Sequence, residues 1–362
     1  MRFLAILCLR NEAAFLLEWL AHHRAVGFTD FLVFSNDCQD GTDAMLDRLA
    51  EQGELTHIRN DGPYDARGIQ FTALKRCEKL DIVRQADWIL PFDIDEFVNI
   101  HVGDGTLPAL LAALPEATAI TLTWRLFGNG GVVHYEDRPV TQTFTRAAPE
   151  VLHWPWRAAM FKTLYRNDGT YRKVGVHRPR SPVAERLEGA RWYDSHGRAL
   201  PEQFRTERIF SPFGRPNYGL AQLNHYALGA MESYVLKADR GRAVHADHML
   251  DLDYWVERNF ASDEDRTILR LAPAMEAERA RLMQDAALAE LHAGAVAWRK
   301  ARLHQLMLEE PFRALMGRLL LTPPTRPLPL AAARYLSRFA TQARRLQGQA
   351  TPPGGGDRPE DG

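Results

Sequence analysis

Four short strand-like segments, most of them apolar runs, fall within the first 92 residues, and much of the chain between them has helical spacing. The segments are Phe3 to Leu9, Phe31 to Ser35, Leu55 to Ile58 and Trp88 to Phe92. Apolar runs of this length without polar alternation suit strands buried on both faces, as in parallel sheets. Ala13 to Val26 carries Phe15, Leu16, Trp19, Leu20 and His23 near helical spacing, and Gly27 stands where a C-cap glycine belongs. Ala44 to Glu51, closed by Gly53, and Phe71 to Ala86 read as two further helices. This alternation predicts an α/β sheet with right-handed crossovers. Ligands of such sheets bind at the carboxyl ends of the strands. Asn11/Glu12, Asn36/Asp37 and Asp93/Asp95 all fall at such ends.

The last of these ends is chemically the most demanding. In WILPFDIDEFV, Trp88 to Val98, an apolar run stops abruptly at Asp93, Asp95 and Glu96. Three carboxylates in four residues are costly beside a core unless a positive group binds them. Extended residues two apart point the same way, so Asp93 and Asp95 can converge on one point. Two hard oxygen ligands suit Mg²⁺ or Mn²⁺, with a substrate phosphate supplying the rest. The segment is therefore a candidate metal–diphosphate site.

Bulk properties narrow the alternatives. A chain of 362 residues allows one large domain, or one domain with an appendage. A formal net charge of -1 provides no global basic field for nucleic acid. The cysteines Cys8, Cys38 and Cys77 are far apart and form no CxxC pair. That argues against a disulfide framework or a zinc site and fits a reducing compartment. The N-terminal apolar run is too short for a signal peptide, and no window of about 20 apolar residues suggests a membrane span. The expected location is cytoplasmic, with peripheral contact at the inner face of the membrane as an option.

After Phe97 the rhythm changes. Ala119 to Trp124 is strand-like and runs into Arg125-Leu126-Phe127-Gly128. Thr163 to Tyr165 and Lys173 to His177 read as short strands, Leu220 to Tyr226 as another, and Ala230 to Arg240 as a helix. Pro179 to Pro216, rich in charge, Pro and Gly, reads as an irregular insertion. Asp251 to Leu308 is strongly helical, and four prolines between Pro323 and Pro329 end that pattern. A basic amphipathic helix follows from Leu330 to Leu346, suited to an anionic membrane surface or a dimer contact. These features divide the chain into a catalytic domain at 1–245, a helical extension at 246–346 and a disordered Pro/Gly-rich tail at 347–362.

Several motifs resemble known transferases. CLRNEAAFLLEWLAHH resembles the start of family 2-type glycosyltransferases, and FLVFSNDCQDGTDAML resembles their strand, acidic loop, DGT and helix. DIDEF after a strand resembles the DxD signature of the GT-A fold. WRLFG, LNHY, EWLAHHRAVG and SYVLKADRG add to the match. In this order, over residues 3–242, they resemble the glycosyltransferase family 2 subgroup related to family 92. The resemblance implies an inverting GT-A enzyme with a Rossmann-like mixed sheet flanked by helices and a helical C-terminal extension. It implies a nucleotide-sugar donor, UDP-sugar by default, and a divalent metal, Mn²⁺ or Mg²⁺. The acceptor would be a glycan or lipid-linked hydroxyl in surface polysaccharide assembly.

The resemblance also implies residue roles. Asn11 and Glu12 would lie near the base or ribose. Asn36 and Asp37 match the acidic pair that meets uracil and ribose, with Asn in the first position. Asp93 and Asp95 would carry the ribose and metal–diphosphate contacts, and Asp95 the catalytic charge. Arg67 and Lys75 would neutralise the diphosphate. His177 or His225 would supply a downstream metal ligand, although a histidine hydrogen-bonded in the core is an equal reading for each. Asp194 and Glu207, with Glu202, are base candidates only because they precede LNHY.

Blander readings apply elsewhere. His22 and His23 read as structural, with His23 packed inward. Trp124 and Phe127 read as core, and Lys237, Arg240 and Arg242 as a solvated helix face. Glu96 reads as a partner that orients the metal ligands. Two other functions stay open: a catalytically degenerate nucleotide-sugar or glycan-binding protein, and a DxD phosphotransferase. The second wants a DxDxT-like loop, and Glu96-Phe97 follow Asp95 instead.

Overall fold

A computed structural model describes residues 1–64, 68–212, 214–241 and 250–349. Strands β1 (Phe3–Leu9), β2 (Asp30–Ser35), β3 (Thr56–Arg59) and β4 (Trp88–Phe92) run parallel in the order β3-β2-β1-β4. Helix α1 (Ala13–Val26) connects β1 to β2, and α2 (Thr42–Glu51) connects β2 to β3. Along β1, Phe3, Ala5 and Leu7 enter one apolar core while Leu4 and Ile6 enter a second on the opposite face. Its continuous apolar run thus reflects burial on both sides. Gly27 ends α1 in the left-handed region at φ 108°, which a residue with a Cβ adopts only under strain.

The expected long helix from Phe71 to Ala86 is two pieces. Helix α3 covers Ile69–Cys77, Leu80 takes extended backbone, and a single turn follows at Asp81–Arg84. The break lets Leu80 pack beside Cys77 and Val83 in the second core.

Beyond β4 the sheet becomes mixed. The added strands are β5 (Glu96–Ile100), β6 (Ala119–Leu126), β7 (Phe161–Arg166), β8 (Trp192–Asp194) and β9 (Ala221–His225). The order continues β4-β7-β6-β9-β5, with β8 paired to the start of β6. Strand β7 is antiparallel to β4 and β6, β9 is parallel to β6, and β5 is antiparallel to β9. Strand β5 had no clear signature because Glu96 and Asn99 interrupt its apolar run, yet all five residues are buried. Its polar side chains find partners far away in sequence: Asn99 Nδ2 donates to Thr267 Oγ1 at 2.8 Å. Two readings of the middle region change. Only Lys173 of the expected strand Lys173 to His177 is extended, because the chain turns back so that Arg180–Pro182 pairs with Tyr171–Lys173. The irregular stretch from Pro179 to Pro216 contributes β8 to the main sheet.

The C-terminal region is helical. Helices α4 (Met231–Arg240), α5 (Ala272–Leu282), α6 (Ala286–Met307), α7 (Glu310–Leu321) and α8 (Leu330–Gln349) follow the sheet. Helix α5 lies along α1, and α6 touches α1, α2 and α4. Leu282, Leu288 and Ala295 join the core of the sheet, and Arg24 reaches Glu278 at 2.6 Å. Gly128 of WRLFG marks another seam, since a Cβ there would collide with the backbone carbonyl of Phe260. A mixed sheet flanked by helices, with a helical C-terminal region, is the architecture the motifs implied. Helix α8 reaches Gln349, and the expected disordered tail lies outside the described residues from 350 onward. No helix among the described residues is long and apolar enough to cross a membrane.

Candidate active site

The turn between β4 and β5 holds the acidic motif. Glu96 opens β5 and is fully buried. Its Oε2 accepts the Asp93 backbone N–H at 2.9 Å, and its Oε1 accepts the Trp124 indole N–H at 2.6 Å. Burial raises the Glu96 carboxyl well above its ordinary range, Asp93 and Asp95 add to this, and Lys162 opposes it. Glu96 therefore shapes the turn from beneath while Asp93 and Asp95 face a cleft.

Sheet register supplies the rest of the site. Strands β9 and β5 pair antiparallel with His225 opposite Glu96, and the Tyr226 N–H donates to the Asp95 carbonyl at 2.8 Å. LNHY is thereby brought onto DIDEF across more than a hundred residues of chain. His225 Nε2 lies 3.8 Å from Asp95 Oδ1, beyond hydrogen-bond reach, and its Nδ1 is buried without a partner. Burial pushes its pKa down to about 4, so the ring is neutral near pH 7. Trp124 neighbours both histidines, its ring centroid 4.4 Å from that of His225 and 5.9 Å from that of His177. His177 Nδ1–H donates to the Phe161 carbonyl at 3.0 Å, because a carbonyl can only accept. Burial, reinforced by Lys162, lowers its pKa to about 3.

Each motif aspartate is held by a lysine. Lys162 on β7 donates to Asp93 Oδ2 at 3.0 Å, and Gln70 Nε2 approaches Asp93 Oδ1 at 3.3 Å. Lys237 on α4 donates to Asp95 Oδ2 at 2.6 Å and to the Ala227 carbonyl at 2.8 Å. Burial works against both ammonium groups, but the facing carboxylates outweigh it and raise both pKa values. Burial likewise opposes ionisation of Asp95, yet Lys237 and then His225 hold its carboxyl far below the usual range. Lys237 is thus not on a solvated face, and neither is Arg240, which pairs with Glu12 and donates to the Arg10 carbonyl at 2.8 Å. Arg242 lies outside the described residues.

The cleft above these groups has a volume of about 310 Å³. It runs from Cys8, Leu9 and Asn36 at the parallel strand ends and Gln70 at the start of α3 to Trp124, His177 and His225. Glu12, Asp93 and Asp95 line it as carboxylates, against the six cations Arg10, Arg157, Lys162, Lys237, Arg240 and Arg258. Lys162 was not foreseen; its one signal is a lone lysine inside the otherwise strand-like FKTLYR.

The remaining predicted residues fall as follows. Asn36 is buried, its Nδ2 donating to the Leu9 carbonyl at 2.8 Å and its Oδ1 accepting from Asn60 at 2.7 Å. Asn11 has φ 53°, and its Oδ1 accepts the Gln39 N–H at 2.7 Å. Asp37 is exposed and accepts from the Tyr64 hydroxyl. Lys75 is exposed on α3, outside the cleft lining. Arg67 lies outside the described residues. Asp194 is fully buried, tied to Arg198 Nε at 2.8 Å, and Glu207 is exposed; neither lines the cleft.

For a divalent ion, Asp95 and His225 offer a carboxylate and a neutral imidazole close together. Among the described residues no three His, Cys, Asp or Glu side chains are grouped to hold an ion unaided. An ion there would need further oxygen ligands from a substrate, as Mg²⁺ commonly does.

Comparison with known proteins finds likenesses over part of the chain. Residues 6–183, just under half of the chain, match the family model Glycosyltransferase family 92. A protein of Oryza sativa subsp. japonica named as a glycosyltransferase family 92 protein is 27% identical over 150 residues, 39% of this chain and 24% of its own length. One of Ricinus communis with the same family name is 24% identical over 148 residues, 37% of this chain and 24% of its own. The chain thus spans about a quarter of the length of these curated relatives. Over this stretch the chain is similar to glycosyltransferase family 92, in line with the resemblance drawn from its motifs. Among solved structures, S. aureus TarS 1-349 aligns over 83% of this chain and 92% of its own at 14% identity, with a TM-score of 0.32. A complex of that protein with UDP-GlcNAc aligns over 38% and 37% at 17% identity, with a TM-score of 0.27. These likenesses are too loose to bear on the chemistry.

Proposed function

We propose that this chain is a glycosyltransferase whose cleft binds a nucleoside diphosphate sugar, with UDP-sugar the first candidate. The observation that carries the reading is the charge of the cleft: six lysines and arginines against three carboxylates, at the ends of the parallel strands. Such an excess suits a diphosphate, and the family likeness makes a nucleotide sugar the natural source of one. In the reaction, a hydroxyl oxygen of a glycan or lipid-linked acceptor bonds to the anomeric carbon. The bond from that carbon to the diphosphate oxygen breaks, the diphosphate keeps the electron pair, and the hydroxyl proton passes to a base. Attack from the face opposite the diphosphate inverts the anomeric centre. Lys162, Lys237 and Arg240 line the cleft and would balance charge as it gathers on the leaving group.

The reading includes a divalent ion, Mn²⁺ or Mg²⁺, held by Asp95 and His225 together with diphosphate oxygens. When bound it would add positive charge beside the leaving group. Helix α8 extends the proposal to location. It exposes Leu330, Tyr335 and Phe339 beside Arg334 and Arg338, a composition suited to an anionic membrane surface on the cytoplasmic side.

Calorimetric titration tests the donor reading. UDP should bind the full chain, more tightly with Mn²⁺, and Asp95→Ala should lose the Mn²⁺ enhancement. Failure of UDP, GDP and dTDP alike to bind would overturn it. Binding without turnover of any nucleotide sugar would leave a degenerate binding protein.

A further inference from the structure

A second cavity of about 270 Å³ meets the cleft at Glu12, Asp95, Lys237 and Arg240. It opens on the other side of these residues, between α1, the segment from Val132 to Phe144, α4 and α6. Phe15, Tyr135, Phe144, Tyr226 and Trp298 give it an aromatic wall. Arg299 also lines it and is 5% exposed.

Arg299 is unlike the other arginines of equal burial. Arg125 has Asp263 at 3.2 Å, and Arg258 has Glu257 at 3.6 Å. Among the described residues no carboxylate forms an ion pair with Arg299. Its Nη2 donates to Ser233 Oγ at 2.9 Å, and its Nε is buried without a partner. Its guanidinium carbon lies 4.6 Å from the ring centroids of both Phe15 and Tyr135. Two aromatic faces compensate a buried cation only in part, and an unpaired buried charge is expensive. Burial accordingly lowers its pKa, with Glu12 and Tyr135 opposing. The cavity also carries the carboxylates Glu12, Asp95, Glu136 and Asp239 and the cations Arg138, Lys237 and Arg240, and a guanidinium that meets none of those carboxylates is suited to a carboxylate or phosphate brought in by a ligand.

We propose that this second cavity binds an anion-bearing sugar, its carboxylate or phosphate on Arg299 and its ring against the aromatic wall, with a hydroxyl directed toward Asp95 as the acceptor. The aromatic faces can cover the C–H face of a pyranose, and the shared border brings that hydroxyl to the end of the cleft where the diphosphate bond would break. The acceptor role rests on the glycosyltransferase reading above; the binding itself does not.

Saturation-transfer NMR on the full chain without donor tests the binding, using D-glucuronate, glucose 6-phosphate and glucose as probes. At least one of the two anions should bind about tenfold or more tightly than glucose, the scale of a charge-assisted hydrogen bond. Which of them binds assigns the anion as carboxylate or phosphate. Arg299→Met should abolish that preference, while UDP affinity stays within about twofold, since each 1.4 kcal/mol is tenfold and Arg299 does not line the cleft. Should Arg299→Met fail to fold, Val132→Trp decides by filling the cavity with Arg299 intact, and it should remove anion binding. Equal binding of glucose and both anions, or unchanged binding in the folded variants, would overturn the site and leave Arg299 a structural cation between two rings. Anion binding by a chain that binds no nucleotide would keep the site and remove its acceptor role.

Discussion

The cleft and the seam beneath it bury titratable groups in opposite ways. In the cleft, Lys162 lies against Asp93, and Lys237 lies against Asp95 and favours its ionised form. In the seam between α1 and β5, His22 and His23 are buried as neutral rings. His22 Nε2–H donates to the Val98 carbonyl at 2.8 Å, and the Val98 N–H donates to His23 Nε2 at 3.2 Å. Burial lowers His22 to about 4 and His23 well below its ordinary value. The paired carboxylates and ammonium groups of the cleft need their charges, and the buried imidazoles of the seam, like His177 and His225 of the cleft, need their absence. The seam also holds β5, and therefore Glu96, at the level where the acidic turn is formed. The two histidines read from sequence as structural are both buried, so they share the interior although adjacent on a helix.

The largest expected effect is on the charged side of this comparison. Lys162→Met leaves Asp93 and the buried Glu96 without their cation and should cost about 3–5 kcal/mol of stability in a denaturant titration, as breaking a buried pair does. A cost near zero would mean that the lysine balances a bound ligand rather than the fold. Next, Asp95→Ala should lower transfer by about 10²–10³-fold, the scale for removing one preorganised electrostatic group. A loss confined to KM would assign Asp95 to uniform binding instead.

Acid separates the buried histidines from the paired carboxylates. A histidine with a depressed folded pKa contributes stability above its unfolded value near 6.5, and that stability is lost as pH falls toward about 4 for His22. The Asp95 contribution is present above the unfolded carboxylate value near 3.8 and is lost only as pH falls through its depressed folded pKa. Stability in a denaturant titration should therefore fall between pH 6.5 and 4 as His22 and His23 of the seam and His177 and His225 of the cleft resist protonation, by roughly 1 kcal/mol per pH unit for each histidine. His22→Gln, which can still reach the Val98 carbonyl, should flatten that slope. A slope unchanged by the substitution would place the acid-sensitive groups elsewhere. The smallest effect belongs to Lys75→Ala: the residue is exposed and outside the cleft, so stability should stay within about 0.5 kcal/mol and UDP affinity should not move.

Legibility of the fold followed the range of the contacts. Strands β1 and β4 and helix α1 have the bounds read from sequence, because a doubly buried strand and a capped amphipathic helix carry their patterns locally. Strand β5 did not, because its buried Glu96 and Asn99 look like surface residues until Trp124 and Thr267 arrive as partners. Lys237 illustrates the same limit within the site. On a helix written alone it belongs to a charged face, and only the packing of α4 against the β4–β5 turn brings it to Asp95.

The sequence by itself determined the alternating parallel half and the polar strand ends, because these depend on neighbours within a few residues. The tertiary structure alone decided what meets them. Antiparallel pairing of β9 with β5 delivered His225, β7 delivered Lys162, α4 delivered Lys237, and α6 placed Arg299 in a cavity on the far side of Asp95. Charge partners drawn from such distant segments are fixed by register and packing, and no local pattern encodes them.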